Sequence, residues 1–365
     1  MMNRRAFLKQ GLMVSAGVVL AGMPRFARGA SANQAPWRTF EVTTRLAVTD
    51  VIGAVQAWVP VPLTSNTEYC QREPDRWTGN FTSAQVMQHD PYGTGMVFAQ
   101  WAAGENAPVL EVTSRFRTRD RQVELNRKPN LRMREDQAVL AYFRQPSKLI
   151  RTDGVVAATA KGIVEKSQSE VGKARAIYEW IVDHTFRDPK VKGCGTGDIA
   201  AMLETRSLGG KCADLNALFV GLARAAGLPA RDVYGIRCAA SQEFKSLGRA
   251  DDITSAQHCR AEVYLTGYGW VPVDPADVRK VVLEENAPGV PLPLDDPKVQ
   301  KARAKLFGAW EMNWLPYNYA HDVRLPHATG PELGFFMYPQ AETAKGRKDS
   351  LDPKQFTYTI TAKEI

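Results

Sequence analysis

The sequence has no apolar run long enough to cross a bilayer, which takes about 20 residues. The longest candidate, from Gly11 to Gly22, falls short. None of the five cysteines are spaced Cys-x-x-Cys, and the five histidines show no zinc-site spacing. A Gly-rich stretch, Gly193-Cys194-Gly195-Thr196-Gly197-Asp198, is not followed by Gly-Lys-Ser/Thr, so it is not a phosphate cradle. There is also no Asp-x-Asp-x-Asp-Gly loop of the calcium-binding kind. These absences exclude the common metal and nucleotide sites, and no cofactor or metal is expected.

Basic excess is scarce once the N-terminus is set aside. Residues 1–32 contain Arg4, Arg5, Lys9, Arg25 and Arg28 and no acid, so without them the net charge of +8 falls to +3. Nucleic-acid binding needs a concentrated basic face. The only basic run, Arg115 to Arg121, alternates like a strand with a solvated side, so no nucleic-acid partner is expected. The paired arginines of Asn3-Arg4-Arg5-Ala6-Phe7-Leu8-Lys9, the short apolar stretch and Ala30-Ser31-Ala32 resemble a twin-arginine export signal over residues 1–32. They predict a periplasmic or secreted protein with no integral membrane segment after signal removal.

From Trp37 the texture is that of strands. Phe40–Val48, Gly53–Val59, Met96–Trp101 and Val109–Phe116 are β-rich and separated by Gly, Pro and Asn. They predict an N-terminal β-sandwich-like domain over residues 36–145. Helical periods follow. Gly154–Lys166 and Glu170–His184 read as helices, the second with Ala174, Ile177, Tyr178 and Ile181 at i, i+3, i+4, i+7. A short helix covers Ile199–Glu204, and Ala213–Ala226 forms another, ended by Gly227. Arg231–Arg237, His258–Leu265 and Trp270–Asp274 are strand candidates, the last two joined by the turn Thr266-Gly267-Tyr268-Gly269. These define a core over residues 150–285. Residues 286–365 read as a Pro-rich extension packing on that core, closed by a strand over Gln355–Ala362.

One arrangement carries chemistry. Five cysteines is an odd number, so at least one lacks a partner within the chain. Cys212 follows Gly209-Gly210-Lys211 and begins a helix. The open N–H groups and positive dipole end there favour a thiolate. His258 opens its strand after the polar stretch Ala239–Gln257, and the hairpin returns Asp274 towards it. A thiolate, an imidazole and an orienting carboxylate in that order form a nucleophile, a general acid/base and its positioner.

Gly210-Lys211-Cys212-Ala213-Asp214 together with Ala223–Arg231, His258–Tyr264 and Gly269–Pro275 resembles the nucleophile, histidine and aspartate segments of the transglutaminase-like superfamily. The resemblance implies an α+β fold: a papain-like core, its nucleophile helix packed on an antiparallel sheet. It implies a catalytic set of Cys212, His258 and Asp274 acting on a peptide or protein substrate through a thioester. The expected activity is hydrolysis of peptide or isopeptide amides. Protein cross-linking, or a catalytically inactive scaffold role on the same fold, are the alternatives.

The Cys212 N–H is a natural oxyanion donor, with Gln257 a candidate second donor by position. Asp214 in the first helical turn is explained by the helix dipole. Cys259 is expected to face away from His258, because neighbours on a strand alternate. His321 and His327 flank Asp322 without a third ligand for a metal, and Trp310, Trp314, Tyr317 and Tyr319 read as packing.

Overall fold

Alternation along the first strand sets up the sandwich. In the computed structural model, which describes residues 35–63, 65–88 and 94–365, the segment 1–32 read above as resembling an export signal lies outside the described residues. Within the strand Arg38–Val48, residues Phe40, Val42, Leu46 and Val48 are buried and point to one face. This strand pairs antiparallel with Val109–Thr118 on one side and Phe356–Glu364 on the other. In the second sheet Val55–Pro60 lies between Gly95–Trp101 and Gln340–Thr343. Leu46, Leu110, Val112 and Phe356 from the first sheet meet Val55, Ala57, Val97 and Ala341 from the second in one apolar cluster. The two sheets therefore pack face to face as a β-sandwich. The last residues of the chain complete both of its sheets.

Seven α-helices occur among the described residues: α1 Gln137–Tyr142, α2 Gly154–Val164, α3 Glu170–His184, α4 Ile199–Thr205, α5 Cys212–Ala225, α6 Pro275–Glu284 and α7 Pro297–Lys305. The central one is α5, buried from Cys212 to Arg224, as a helix enclosed on all sides must be. Leu218, Phe219 and Leu222 share an apolar cluster with Ile177 and Ile181 of α3 and with Ala261, Val263 and Val271 of the sheet. Each such buried side chain stabilises the core by roughly 1.5–3 kcal/mol. The helix ends as its sequence predicts. Gly227 takes φ +87°, and the Leu228 N–H reaches back 2.9 Å to the Ala223 carbonyl, closing the terminus through a left-handed residue.

Against α5 lies a four-stranded antiparallel sheet, ordered Gly269–Val273, Arg260–Leu265, Ala230–Arg237 and Trp314–Asn318. Its fourth strand comes from beyond residue 286. The fold is α+β, with a nucleophile helix on an antiparallel sheet beside a sandwich. Among the described residues no helix is long and apolar enough to cross a membrane.

Candidate active site

Cys212 is the first residue of α5, so its N–H has no intrahelical acceptor and is free to meet an anion. The loop before it is fixed by Asp214, whose carboxylate accepts from the N–H groups of Lys211 (2.9 Å), Thr196 (2.9 Å) and Gly197 (3.0 Å). Asp214 thus does more than complement the dipole, since it ties the Gly-rich loop to the helix start. Gly195 sits at φ +96°, and a Cβ there would come within 1.9 Å of the Asp214 carboxylate, so glycine is required. The Ala213 N–H donates to the Cys194 carbonyl at 2.9 Å, which brings Cys194 against the nucleophile helix.

The register of the hairpin delivers the other two residues. Ala261 pairs with Val273, so Asp274 lies next to the chain entering the strand at Arg260. His258 Nε2 donates to Asp274 Oδ2 at 2.8 Å, and both side chains are buried. That bond commits Nε2 as the protonated nitrogen and leaves Nδ1 for Cys212, with which His258 makes a side-chain hydrogen bond. Asp274 has a second task. Its Oδ1 caps α6 by accepting from the Asp277 N–H (3.0 Å), and it receives the Asn216 amide at 3.2 Å. Pro275, at the first helical position, suits that start. The dyad is therefore built into a helix terminus.

The electrostatics favour a thiolate–imidazolium pair. The adjoining Cys194 and Cys259 thiols, and then the bond and charge of His258, hold Cys212 well below the ordinary thiol value of 9.0 against the opposing effect of burial. Cys194 is pushed well up by the neighbouring Cys212 and by burial, and Cys259 by burial and then by Cys212, while the Cys194 thiol donates to the Gln257 carbonyl at 3.3 Å. Burial and the Arg237 charge lower His258, but the Asp277 and Asp274 carboxylates outweigh them and raise it to about 9. Asp277 remains ionised despite burial because Arg237 pairs with it at 2.6 Å. Burial and the neighbouring Asp277 raise the Asp274 carboxyl.

Cys212, His258 and Asp274 are thus brought together, and surrounding them are Asp277 and Asn216, to which the sequence reading gave no role, and Trp314, which it read as packing. Asp277 lies 3.4 Å from His258 Nε2. Asn216, one turn along α5 from Cys212, also donates to the Cys259 carbonyl at 2.8 Å, and Trp314 Nε1 donates to the His258 carbonyl at 2.9 Å. A polar residue four positions after a candidate nucleophile on an otherwise apolar helix is a signal for Asn216. Asp277 sits three residues after the Asp of Asp274-Pro275, where a capped first turn gathers acids.

The expectation for Cys259 is overturned. His258 and Cys259 precede the strand, which begins at Arg260, so strand alternation does not govern them and both thiol and imidazole reach Cys212. His321 instead bonds the Tyr234 hydroxyl (3.2 Å). His258, Asp274 and Asp277 bring their ligand atoms within 4.8 Å of one another. Arg237 sits 2.6 Å from Asp277 and Arg260 lies 3.7 Å from Asp274, so two guanidinium charges already compensate these carboxylates.

These residues open onto a cleft of ≈590 Å³. Cys194, Gln257 and Lys211 line it near the thiol, and Tyr338, Phe356 and Tyr358 form a wall from the last part of the chain. The Gln257 side-chain nitrogen is buried without a hydrogen-bond partner among the described residues.

The family model described as Transglutaminase-like superfamily matches residues 157–275, the segment holding all three residues. The chain belongs to the transglutaminase-like superfamily. It is 36% identical over 329 residues to an uncharacterised protein of Haemophilus influenzae, covering 86% of this chain and 87% of that one. Among solved structures, a candidate cysteine protease from Cytophaga hutchinsonii is similar over 91% of this chain and 99% of its own, at 16% identity and a TM-score of 0.52. That likeness is one of fold.

Proposed function

We propose that the protein is an exported thiol hydrolase that cleaves peptide or isopeptide amides through a thioester on Cys212. The observation that carries this reading is the 2.8 Å bond from buried His258 to Asp274, beside a thiol at a helix N-terminus that opens on a cleft. The Cys212 thiolate attacks the amide carbon, and the carbonyl π pair moves to oxygen. The oxyanion is received by the Cys212 N–H and by the unpaired Gln257 amide. As the tetrahedral species collapses, the C–N bond breaks and His258 gives its proton to the leaving amine. His258 then takes a proton from water, whose oxygen attacks the thioester and frees the acid and the thiolate. Asp274 and Asp277 hold the imidazole ring and sustain its charge.

In this reading the core of about residues 150–285 does the chemistry. Residues 36–145 and 286–365 form its support and the cleft wall. The arginine pair and short apolar stretch at residues 1–32 support an extracytoplasmic site of action.

Two outcomes follow from the geometry. Removing the second oxyanion donor in Gln257→Ala should lower kcat by about 10²–10³-fold with little change in KM, measured on whichever fluorogenic peptide amide the wild type turns over best. The kcat/KM profile should have an alkaline limb near the His258 value of about 9, because activity is lost as the imidazolium loses its proton. Asp277→Asn removes one of the carboxylates that raise His258, so that limb should move to lower pH. A limb that stays in place would show that Asp277 does not act through His258.

A further inference from the structure

We infer that the cleft selects acidic peptides, an assignment that rests on the amide-hydrolase reading above and names its substrate class. Arg187, Lys192, Lys211, Arg237, Arg249 and Lys280 all line it, and among the described residues no Asp or Glu does. Carboxylates behind the wall neutralise part of this charge. Arg237 pairs with Asp277 at 2.6 Å and Lys192 with Asp349 at 2.7 Å. Arg187 and Lys280 share the single carboxylate of Glu284, at 2.6 and 2.9 Å.

Two cations have no carboxylate within salt-bridge distance among the described residues. Arg249 instead donates to the Ser255 hydroxyl at 3.0 Å, with Asp252 only near enough to feel its charge. Lys211 immediately precedes the nucleophile. One charge is over from the Arg187–Glu284–Lys280 group, the thiolate and imidazolium cancel, and Arg260 offsets Asp274. With the buried Asp214 behind Lys211 counted, the surplus around the cleft is about two positive charges. The whole chain without residues 1–32 has a net charge of only +3. The rest of the molecule is therefore close to neutral, and the surplus is gathered around Cys212.

A cleft lined by one sign of charge concentrates ligands of the other sign. The thiolate needs an acyl carbon with an amine leaving group, which a peptide backbone supplies and a phosphodiester backbone does not. The matching ligand is a peptide with two or three carboxylates flanking the scissile amide, engaged by Lys211 on the nucleophile side and by Arg249 from the 239–257 loop.

The test uses the full chain without residues 1–32, carrying Cys212→Ser so that binding is read without turnover. Fluorescein-labelled short peptides of alternating Glu and Ala are compared by anisotropy with their Gln-Ala counterparts. The Glu peptide should bind at least about tenfold more tightly at low ionic strength, and the preference should shrink as salt shortens the screening length. Lys211→Gln and Arg249→Gln, each checked for an unchanged melting temperature, should each remove about threefold or more of it. Equal binding of the two peptides overturns the proposal. So does a preference untouched by both variants, or a single-stranded DNA of equal charge competing as well as the peptide. The companion measurement is iodoacetamide labelling of the Cys212 parent. A slow thiol alongside an intact Glu preference sinks the hydrolase and keeps the anion cleft. A fast thiol without the preference sinks the cleft alone.

Discussion

Replacing Cys212 by alanine is expected to lower turnover by about 10³–10⁶-fold while leaving the fold in place. The effect is large because in the proposed mechanism every chemical step passes through one sulfur. In that mechanism the thiolate attacks and the thioester holds the acyl group, and neither Cys194 nor Cys259 can substitute, since burial still raises both thiols once Cys212 is gone. The fold should survive because Cys212 contributes one small side chain at the cleft surface, whereas α5 is held by Leu215, Leu218, Phe219 and Leu222 deeper in the core. Circular dichroism and the melting temperature report the fold, and a fluorogenic peptide-amide library reports the activity. His258→Ala should be nearly as damaging, and combining the two should add little, because residues acting as one unit are not additive.

Glu262→Gln is expected to destabilise the protein by about 3–5 kcal/mol without touching the site. Glu262 is fully buried in the central sheet and receives two guanidinium groups. Arg231 sits at 2.6 Å from the neighbouring strand, and Arg121 comes from the strand Arg121–Gln122, which pairs with Ala309–Trp310. The Tyr69 hydroxyl, from the sandwich side, lies 3.4 Å away. One carboxylate thus balances two buried cations where sandwich and core meet, and neutralising it leaves both unpaired in low dielectric. Burial alone would raise the Glu262 carboxyl, but Arg231 and Arg121 hold it below the usual value of 4.5. The stabilisation is therefore complete above pH 4.5 and is lost as the pH falls through the lower folded-state value. Glu262→Gln should flatten that acid limb as well as lower the denaturant midpoint. An unchanged midpoint would mean that aromatic stacking, such as Arg231 over Trp270 and Tyr319 at 3.9 Å, carries the junction instead.

What was legible in the sequence follows from where each signal resides. Helix α3 occupies Glu170–His184 as its period predicts, because one apolar stripe decides both its start and its packing face. The nucleophile helix was readable from glycines before it, an apolar run within it and Gly227 after it. The hairpin turn was local and placed His258 and Asp274 in proximity. Helix α6 was not foreseen, because Asp274-Pro275 reads equally as a strand end with a turn and as a helix cap with its first residue. Missing it concealed Asp277, which shares the imidazole with Asp274. The pairing of the last strand with the first, Val48 opposite Phe356 and Phe40 opposite Glu364, spans the whole chain and has no local signature. The same holds for Cys194, brought to Cys212 only by the loop that Asp214 gathers.

The pH dependence of iodoacetamide labelling at Cys212, followed by mass spectrometry of the intact protein, tests the central claim most directly. The account predicts rapid labelling that persists well below pH 8.5, the region where a free thiol titrates, and a shift towards that ordinary value in His258→Ala. Wild-type labelling that rises only near pH 8.5 and ignores His258→Ala would contradict it.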